Sequence, residues 1–137
     1  MTNEKIAILI KRVSLVIEKI SNQILAPYDL THTQFKILMF LYHNPDKSVR
    51  QADVEARFSL TNPTVTGIIQ NLEKKNLVQR VENPNDKRSK LLALTEQARA
   101  METKMNELSG LREQEITKNL TDDECEQLKA LLRRILG

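Results

Sequence analysis

A single pair of β-compatible segments interrupts a chain that is otherwise patterned for helices, and this limits the possible folds more than any other feature. Residues 77–81 and 90–94 are short runs rich in Leu and Val, and residues 82–89 between them are rich in turn-forming Asn, Pro and Asp. Two such runs around a polar turn predict a β-hairpin. The sequence therefore predicts a mainly α fold with one small β-hairpin.

Helical periodicity dominates both ends of the chain. Residues 6–25 repeat Ile, Leu or Val every three or four positions before Pro27, which predicts one long helix. Residues 95–120 and 121–136 predict two more helices, the last with an inward apolar face of Cys125, Leu128, Leu131, Leu132 and Ile135. A chain of 137 residues offers little to cover both terminal stripes, so helices of a second copy are expected to cover them. The alternative is that both ends fold back onto the same subunit.

Three helix starts precede the hairpin. Thr31 and Gln34 fit a capping box, in which each side chain hydrogen-bonds the backbone of the other residue. A second box is predicted at Ser48 and Gln51. The third start has Thr61 as cap and Pro63 in the first turn, where a missing N–H is harmless.

The order of these elements predicts a winged helix-turn-helix over residues 31–95. A helix, a short helix, a tight turn, an amphipathic helix and a hairpin follow one another. In such a unit the second helix of the pair enters the major groove of DNA, and the hairpin loop reaches the neighbouring minor groove. Residues 1–30 and 96–137 are then predicted to form a helical dimerisation region.

The outward face of residues 62–71 is short, neutral and hydrogen-bonding, which suits contact with base edges. In the wing, Lys87 and Arg88 are expected at the minor groove, with Asp86 shaping the turn. Arg50, Arg80 and Lys90 are expected to face phosphates. The alternatives are that Thr61 serves only as a cap, that the threonines are ordinary surface residues, and that the wing is only a solubilising loop. The predicted DNA-binding residues are Arg50, Gln51, Thr61, Asn62, Thr64, Thr66, Gln70, Arg80, Lys87, Arg88 and Lys90.

Composition excludes several other classes of protein. The formal net charge of +3 is compatible with a polyanionic partner. One cysteine and two histidines, His32 and His43, offer neither a nucleophile–base pair nor a metal-ligand cluster. No enzyme activity, metal or cofactor is therefore expected. The sequence shows no signal peptide and no apolar run long enough to cross a membrane, which favours a cytoplasmic protein.

Two segments together resemble a known family. LTNPTVTGIIQNLEKKNLV at 60–78 is similar to the recognition helix of MarR-type bacterial regulators, and DKR at 86–88 with LALT at 92–95 is similar to their wing. The chain length and the flanking helices fit as well. Asn76 and Ala98 stand where the family commonly has glycine, and neither change threatens the fold.

The resemblance implies a homodimer whose first and last helices intertwine and whose winged helices bind a pseudo-palindromic operator, usually as a repressor. Many members of the family respond to small phenolic or anionic effectors, and here His32, Phe35 and Met39 are candidates to line such a crevice. Core packing explains these three residues equally well. The sequence lacks the cysteine near the first helix that peroxide-sensing relatives need. The alternative function is a winged-helix protein-interaction module without sequence-specific DNA binding.

Overall fold

The computed structural model describes residues 3–45 and 48–137 and confirms the predicted fold class. The described residues form seven α-helices and one two-stranded antiparallel sheet. The helices are α1 (Ile6–Leu25), α2 (His32–His43), α3 (Gln51–Phe58), α4 (Asn62–Lys74), α5 (Glu96–Ala100), α6 (Glu102–Thr117) and α7 (Asp122–Leu136). The strands are β1 (Val78–Glu82) and β2 (Lys90–Leu94).

Local capping chemistry starts several of these helices, including the predicted capping box at Thr31. Thr31 accepts a hydrogen bond from the backbone N–H of Gln34, and the Gln34 side chain accepts one from Thr31 N–H in return. Thr121 and Glu124 form the same reciprocal pair at the start of α7. Asn76, after α4, has a φ of 58°, which is the left-handed stop that an asparagine tolerates. Helix α4 therefore ends where the hairpin must begin.

The predicted start of α3 at Ser48 is wrong. The cap is Arg50, whose backbone N–H donates to the Asp53 carboxylate at 2.8 Å. Residues 49–50 are extended instead, since Leu92 N–H donates to Val49 O at 2.8 Å and Arg50 forms an isolated bridge with Leu91. Pairing with β2 satisfies the backbone there, so the helix begins two residues later than the local pattern suggests.

The predicted helix over residues 95–120 is also divided in two. Met101 N–H donates to Ala98 O at 3.1 Å, which tightens the last turn of α5. The Tyr42 hydroxyl donates a buried hydrogen bond to the same carbonyl, and burial raises the pKa of Tyr42 to about 12. This contact attaches α2 to α5, so the division lies where the winged helix meets the carboxy-terminal helices.

One continuous core holds the central unit together. It takes fully buried side chains from α2, α3, α4, α5 and α6, together with buried residues of both strands. Phe35, Leu38, Val54, Ile69 and Leu72 are among them. The register of the hairpin pairs Val78 with Leu94 and Glu82 with Lys90. The wing is thereby fixed to the same core as the helix pair.

Helix α7 departs from the prediction that its apolar side chains face inward. Leu128, Leu131, Leu132 and Ile135 are all exposed in the single chain, as are Ile6, Leu9 and Val13 of α1. Helices α1 and α6 do pack together. The terminal stripes are therefore not covered by folding back onto the same subunit.

Candidate nucleic-acid interface

Helix α4 presents a polar face opposite its buried one. Val65, Ile69 and Leu72 are buried against the core, whereas Thr61, Asn62, Thr64 and Gln70 are exposed. Thr61 is the cap, because its side chain accepts a hydrogen bond from the N–H of Thr64 at 3.4 Å. Its hydroxyl also donates to the Thr64 hydroxyl at 2.9 Å. The predicted cap is therefore present, and it also orients the neighbouring threonine.

Helix α3 holds the first turns of α4 in place. The Gln51 amide donates to the Thr66 hydroxyl at 2.8 Å and to Asn62 O at 3.4 Å. The Asn62 amide donates to the Glu55 carboxylate at 3.0 Å. Both amide hydrogens of Gln51 therefore bond to α4, and its carbonyl oxygen remains free to contact a ligand.

Glu55 is a site residue that the sequence analysis missed. Its contact with Asn62 joins two helices across a turn, and no local pattern marks such a pair. By accepting from one amide hydrogen, Glu55 fixes the orientation of the Asn62 side chain. The remaining hydrogen and the carbonyl oxygen of Asn62 then keep a defined direction, which base-edge contacts require.

The wing is a turn ordered by Asp86. One Asp86 carboxylate oxygen accepts from the backbone N–H of Arg88 at 2.9 Å, and the other accepts from the Ser89 hydroxyl at 3.4 Å. This is the hydrogen-bonding arrangement that a wing-shaping role needs. Lys87 and Arg88 are exposed, and neither makes an ion pair within the described part of the chain. Both charges are thus available to a phosphate or a groove.

Arg50 lies between the wing and the helix pair. Its guanidinium contacts Asp53 at 3.2 Å, and this hydrogen bond raises the pKa of Arg50, with the charge of Asp86 adding to the effect. The backbone N–H of Arg50, followed by its side chain, lowers the pKa of Asp53. Arg50 also forms an isolated bridge with Leu91 of β2, so it lies beside the hairpin, and Gln51 follows Arg50 along the chain. A continuous path leads from the wing through Arg50 and Gln51 to α4.

The other two predicted phosphate contacts are paired with carboxylates. Arg80 contacts Glu73 of α4 at 3.3 Å, and Lys90 lies 3.9 Å from Glu82 across the hairpin. The Lys90 pair is exposed, and such pairs are weak. A phosphate can therefore replace the Glu82 carboxylate at Lys90 with little loss of stability, whereas the Arg80–Glu73 pair is partly buried.

Comparisons with known proteins agree with this geometry. The sequence profile of the MarR family matches residues 28–89. The multiple antibiotic resistance protein MarR of Escherichia coli is 33% identical over 129 residues, which are 93% of this chain and 88% of that protein. The chain belongs to the MarR family.

Solved structures of MarR-family proteins extend the likeness to the whole fold. The reduced form of E. coli MarR covers 100% of both chains with a TM-score of 0.87 and 32% identity. A mutant E. coli MarR complexed with operator DNA covers 96% of this chain and 93% of its own, with a TM-score of 0.86 and 32% identity. The Staphylococcus aureus MepR–DNA complex covers 98% and 97%, with a TM-score of 0.87 and 28% identity.

The predicted effector crevice is only partly assembled in this MarR-family chain. Phe35 and Met39 line a pocket of about 230 Å³ between α2, α3 and α6, but His32 is not in its lining. Phe35 itself is fully buried, and the Arg112 guanidinium lies 5.3 Å from the centre of its ring. Burial lowers the pKa of Arg112. The remaining side chains around the pocket are Lys36, Phe40, His43, Arg57 and Phe58.

The sequence predicts neither a metal site nor a membrane span. Within residues 3–45 and 48–137, no group of three or more His, Cys, Asp or Glu side chains is arranged to hold a metal ion. None of the helices in the described ranges combines the length and apolar character that a membrane span requires. Cys125 is half-buried on α7 and free.

Proposed function

We propose that this MarR-family chain is a ligand-responsive repressor that binds a pseudo-palindromic operator as a homodimer. MarR-type regulators are DNA-binding transcriptional regulators, and this chain is one of them. Its role is regulatory and not catalytic, and it acts in the bacterial cytoplasm, where the DNA lies.

The connected polar surface from the wing to α4 carries this proposal. Asp86 orders the wing, Arg50 bridges Leu91 of the hairpin, and Gln51 couples the next turn to Thr66. Because α3, α4 and both strands of the hairpin contribute to one core, α4 and the wing keep a set separation. A duplex requires this, since a helix in the major groove and a loop in the adjacent minor groove must fit at once.

We assign direct base contacts to the exposed side chains of α4, namely Asn62, Thr64 and Gln70. Thr66 and Gln51 act on DNA binding indirectly, by holding neighbouring side chains in position, because each is already engaged in the contact between α3 and α4. Lys87 and Arg88 have no carboxylate partner among the described residues and are therefore assigned to the minor groove. Arg50, Arg80 and Lys90 are assigned to phosphates.

The dimer is assigned to the two terminal regions, residues 1–30 and 96–137. The apolar faces of α1 and α7 remain exposed in the single chain, with Ile135 61% and Ile6 68% accessible. Ile6 and Ile135 also lie in the lining of one apolar groove between the two helices. Exposed apolar surface of this extent marks an interface. A second copy related by a twofold axis would present the same two helices, as self-complementary interfaces require.

The pocket between α2, α3 and α6 is the proposed effector site. It joins the winged helix to a helix of the proposed dimerisation region, so a bound molecule could alter the angle between them. Aromatic walls with Lys36, Arg57 and Arg112 around them suit a small aromatic anion. The support for this assignment is the geometry of the pocket and the resemblance to the family.

Binding to the DNA upstream of the chain's own gene tests the proposed function. We expect footprinting to show two equivalent protected half-sites about 34–36 Å apart, or a multiple of that spacing. The operator affinity should fall steeply with salt, because each neutralised phosphate contributes about −0.9 to the slope of log K against log salt. A duplex of scrambled sequence is the control.

The outcomes separate the two candidate functions. Equal affinity for the operator and the scrambled duplex, or an affinity that does not change with salt, would contradict the proposal. Such a result would favour the alternative, a winged-helix module that binds another protein.

A further inference from the structure

We propose that Gly67 determines how closely α4 approaches the base edges, and that it is therefore a specificity-determining position of the operator contact. This inference rests on the proposed function, since it requires α4 in the major groove. It goes beyond that function because Gly67 has no side chain with which to contact DNA. Its effect comes from the space it leaves.

Gly67 lies in the middle of the outward face of α4 and is itself half-buried. Helical spacing puts it beside Pro63 one turn earlier and Gln70 one turn later, both of which are exposed. The buried face of α4, which carries Val65 and Ile69, lies on the other side of the helix. A surface that meets the centre of this face can therefore approach the helix backbone most closely at Gly67.

Nothing within the described chain explains a glycine at this position. A Cβ atom built on Gly67 would meet no packed neighbour within 4 Å. The backbone does not need a glycine either, because the positive φ values of the described residues fall at Asp29, Ser59, Asn76 and Gly137. Glycine is also among the least favourable residues inside a helix. The sequence thus retains an unfavourable residue that the free protein does not require.

The side chains around Gly67 are short, so the absence of a Cβ atom there affects how closely the helix can approach DNA. Residues 61–66 are all small or short on their exposed side, and Gln70 is the first long polar side chain along this face. The helix backbone can therefore lie deep in the major groove, which is about 8.5 Å deep. One added carbon would displace the helix by up to about 1.5 Å, the length of a C–C bond. That displacement would stretch hydrogen bonds from Asn62 and Thr64 beyond their usual range of about 2.7–3.2 Å.

The variant Gly67→Ala tests this inference. We expect a Tm higher by roughly 2–4 °C at matched protein concentration, because the new methyl group meets open space and favours the helix. We also expect operator affinity to fall about tenfold or more, as for the loss of a good base contact. Affinity for a scrambled duplex should stay within about twofold, since phosphate contacts supply it. Thermal melting and fluorescence anisotropy give these values.

Gly110→Ala is the matched control. Gly110 lies inside α6, is exposed, and would likewise meet nothing within 4 Å if it carried a Cβ. This variant should gain thermal stability. Because Gly110 lies in the region assigned to the dimer, sedimentation first verifies that both variants assemble as the wild type does, and the assembled Gly110→Ala dimer should then bind the operator with wild-type affinity.

The outcomes distinguish this inference from the proposed function. If the wild-type protein does not prefer the operator to the scrambled duplex, the proposed function fails. If the wild type prefers the operator and Gly67→Ala binds it at least as tightly, the proposed function stands and the role of Gly67 is wrong. A lower Tm for Gly67→Ala would also overturn the inference, because the space at this position would then not be open.

Discussion

Truncation of Leu131 tests whether a second copy covers the apolar face of α7. Leu131 retains 55% of its accessible surface in the single chain. Full burial of a leucine side chain contributes about 1.5–3 kcal/mol, so covering the exposed part contributes about 1–1.5 kcal/mol per subunit. A twofold dimer carries the change on both sides. We therefore expect Leu131→Ala to weaken dimerisation by about 2–3 kcal/mol, which raises the dissociation constant roughly 30- to 150-fold.

Sedimentation equilibrium over a range of protein concentrations measures this constant directly. Glu126→Ala is the control, because Glu126 lies on the charged side of α7 and makes only an exposed ion pair with Lys129 at 3.2 Å. Its loss should change dimerisation by less than about 0.5 kcal/mol. The reasoning is refuted if Leu131→Ala dissociates no more readily than Glu126→Ala, or if the wild type is a monomer.

Three further predictions concern the wing, the contact between α3 and α4, and pH. Arg88→Ala should weaken operator binding by roughly 1–3 kcal/mol and leave the dimer intact; unchanged affinity in a gel-shift titration would remove Arg88 from the site. Gln51→Ala breaks the 2.8 Å hydrogen bond to Thr66 and should lower the free energy of unfolding by about 1 kcal/mol in urea denaturation; an unchanged value would show that this bond does not hold α4. Burial, followed by the charges of two nearby cations, lowers the pKa of His32 below its ordinary value of 6.5. The contribution of His32 to stability is therefore complete above the unfolded-state pKa of about 6.5, and it is lost as the pH falls towards the lower folded-state pKa. Between about pH 7.5 and pH 5.5 the Tm should therefore fall more for the wild type than for His32→Gln, and equal decreases would contradict this assignment.

The parts of the fold that depend on neighbouring residues could be predicted from the sequence. Thr31, Thr61 and Thr121 each cap a helix through a residue three positions later, so the pattern and the contact lie within one turn. Asn76 ends its helix through its own backbone conformation. The hairpin follows from turn-forming residues between two apolar runs, and its first strand begins one residue later than predicted.

The parts that depend on distant residues could not be predicted. The pattern at Ser48 matches a helix start, but a hydrogen bond from Leu92 to Val49 keeps that segment extended. Gln51 suggests a DNA contact by its type and position, yet its amide hydrogens bond to α4. Each outcome is decided by a partner far away along the chain.

The sequence by itself therefore determined the succession of helices and the hairpin, together with the family to which they belong, because capping, turn formation and helical periodicity act within a few residues. Only the tertiary structure decided which polar side chains remain available to DNA. It alone placed Glu55 against Asn62 and left Gly67 with open space in front of it. These features depend on how packed helices bring distant side chains together, and that arrangement is set by the shared core.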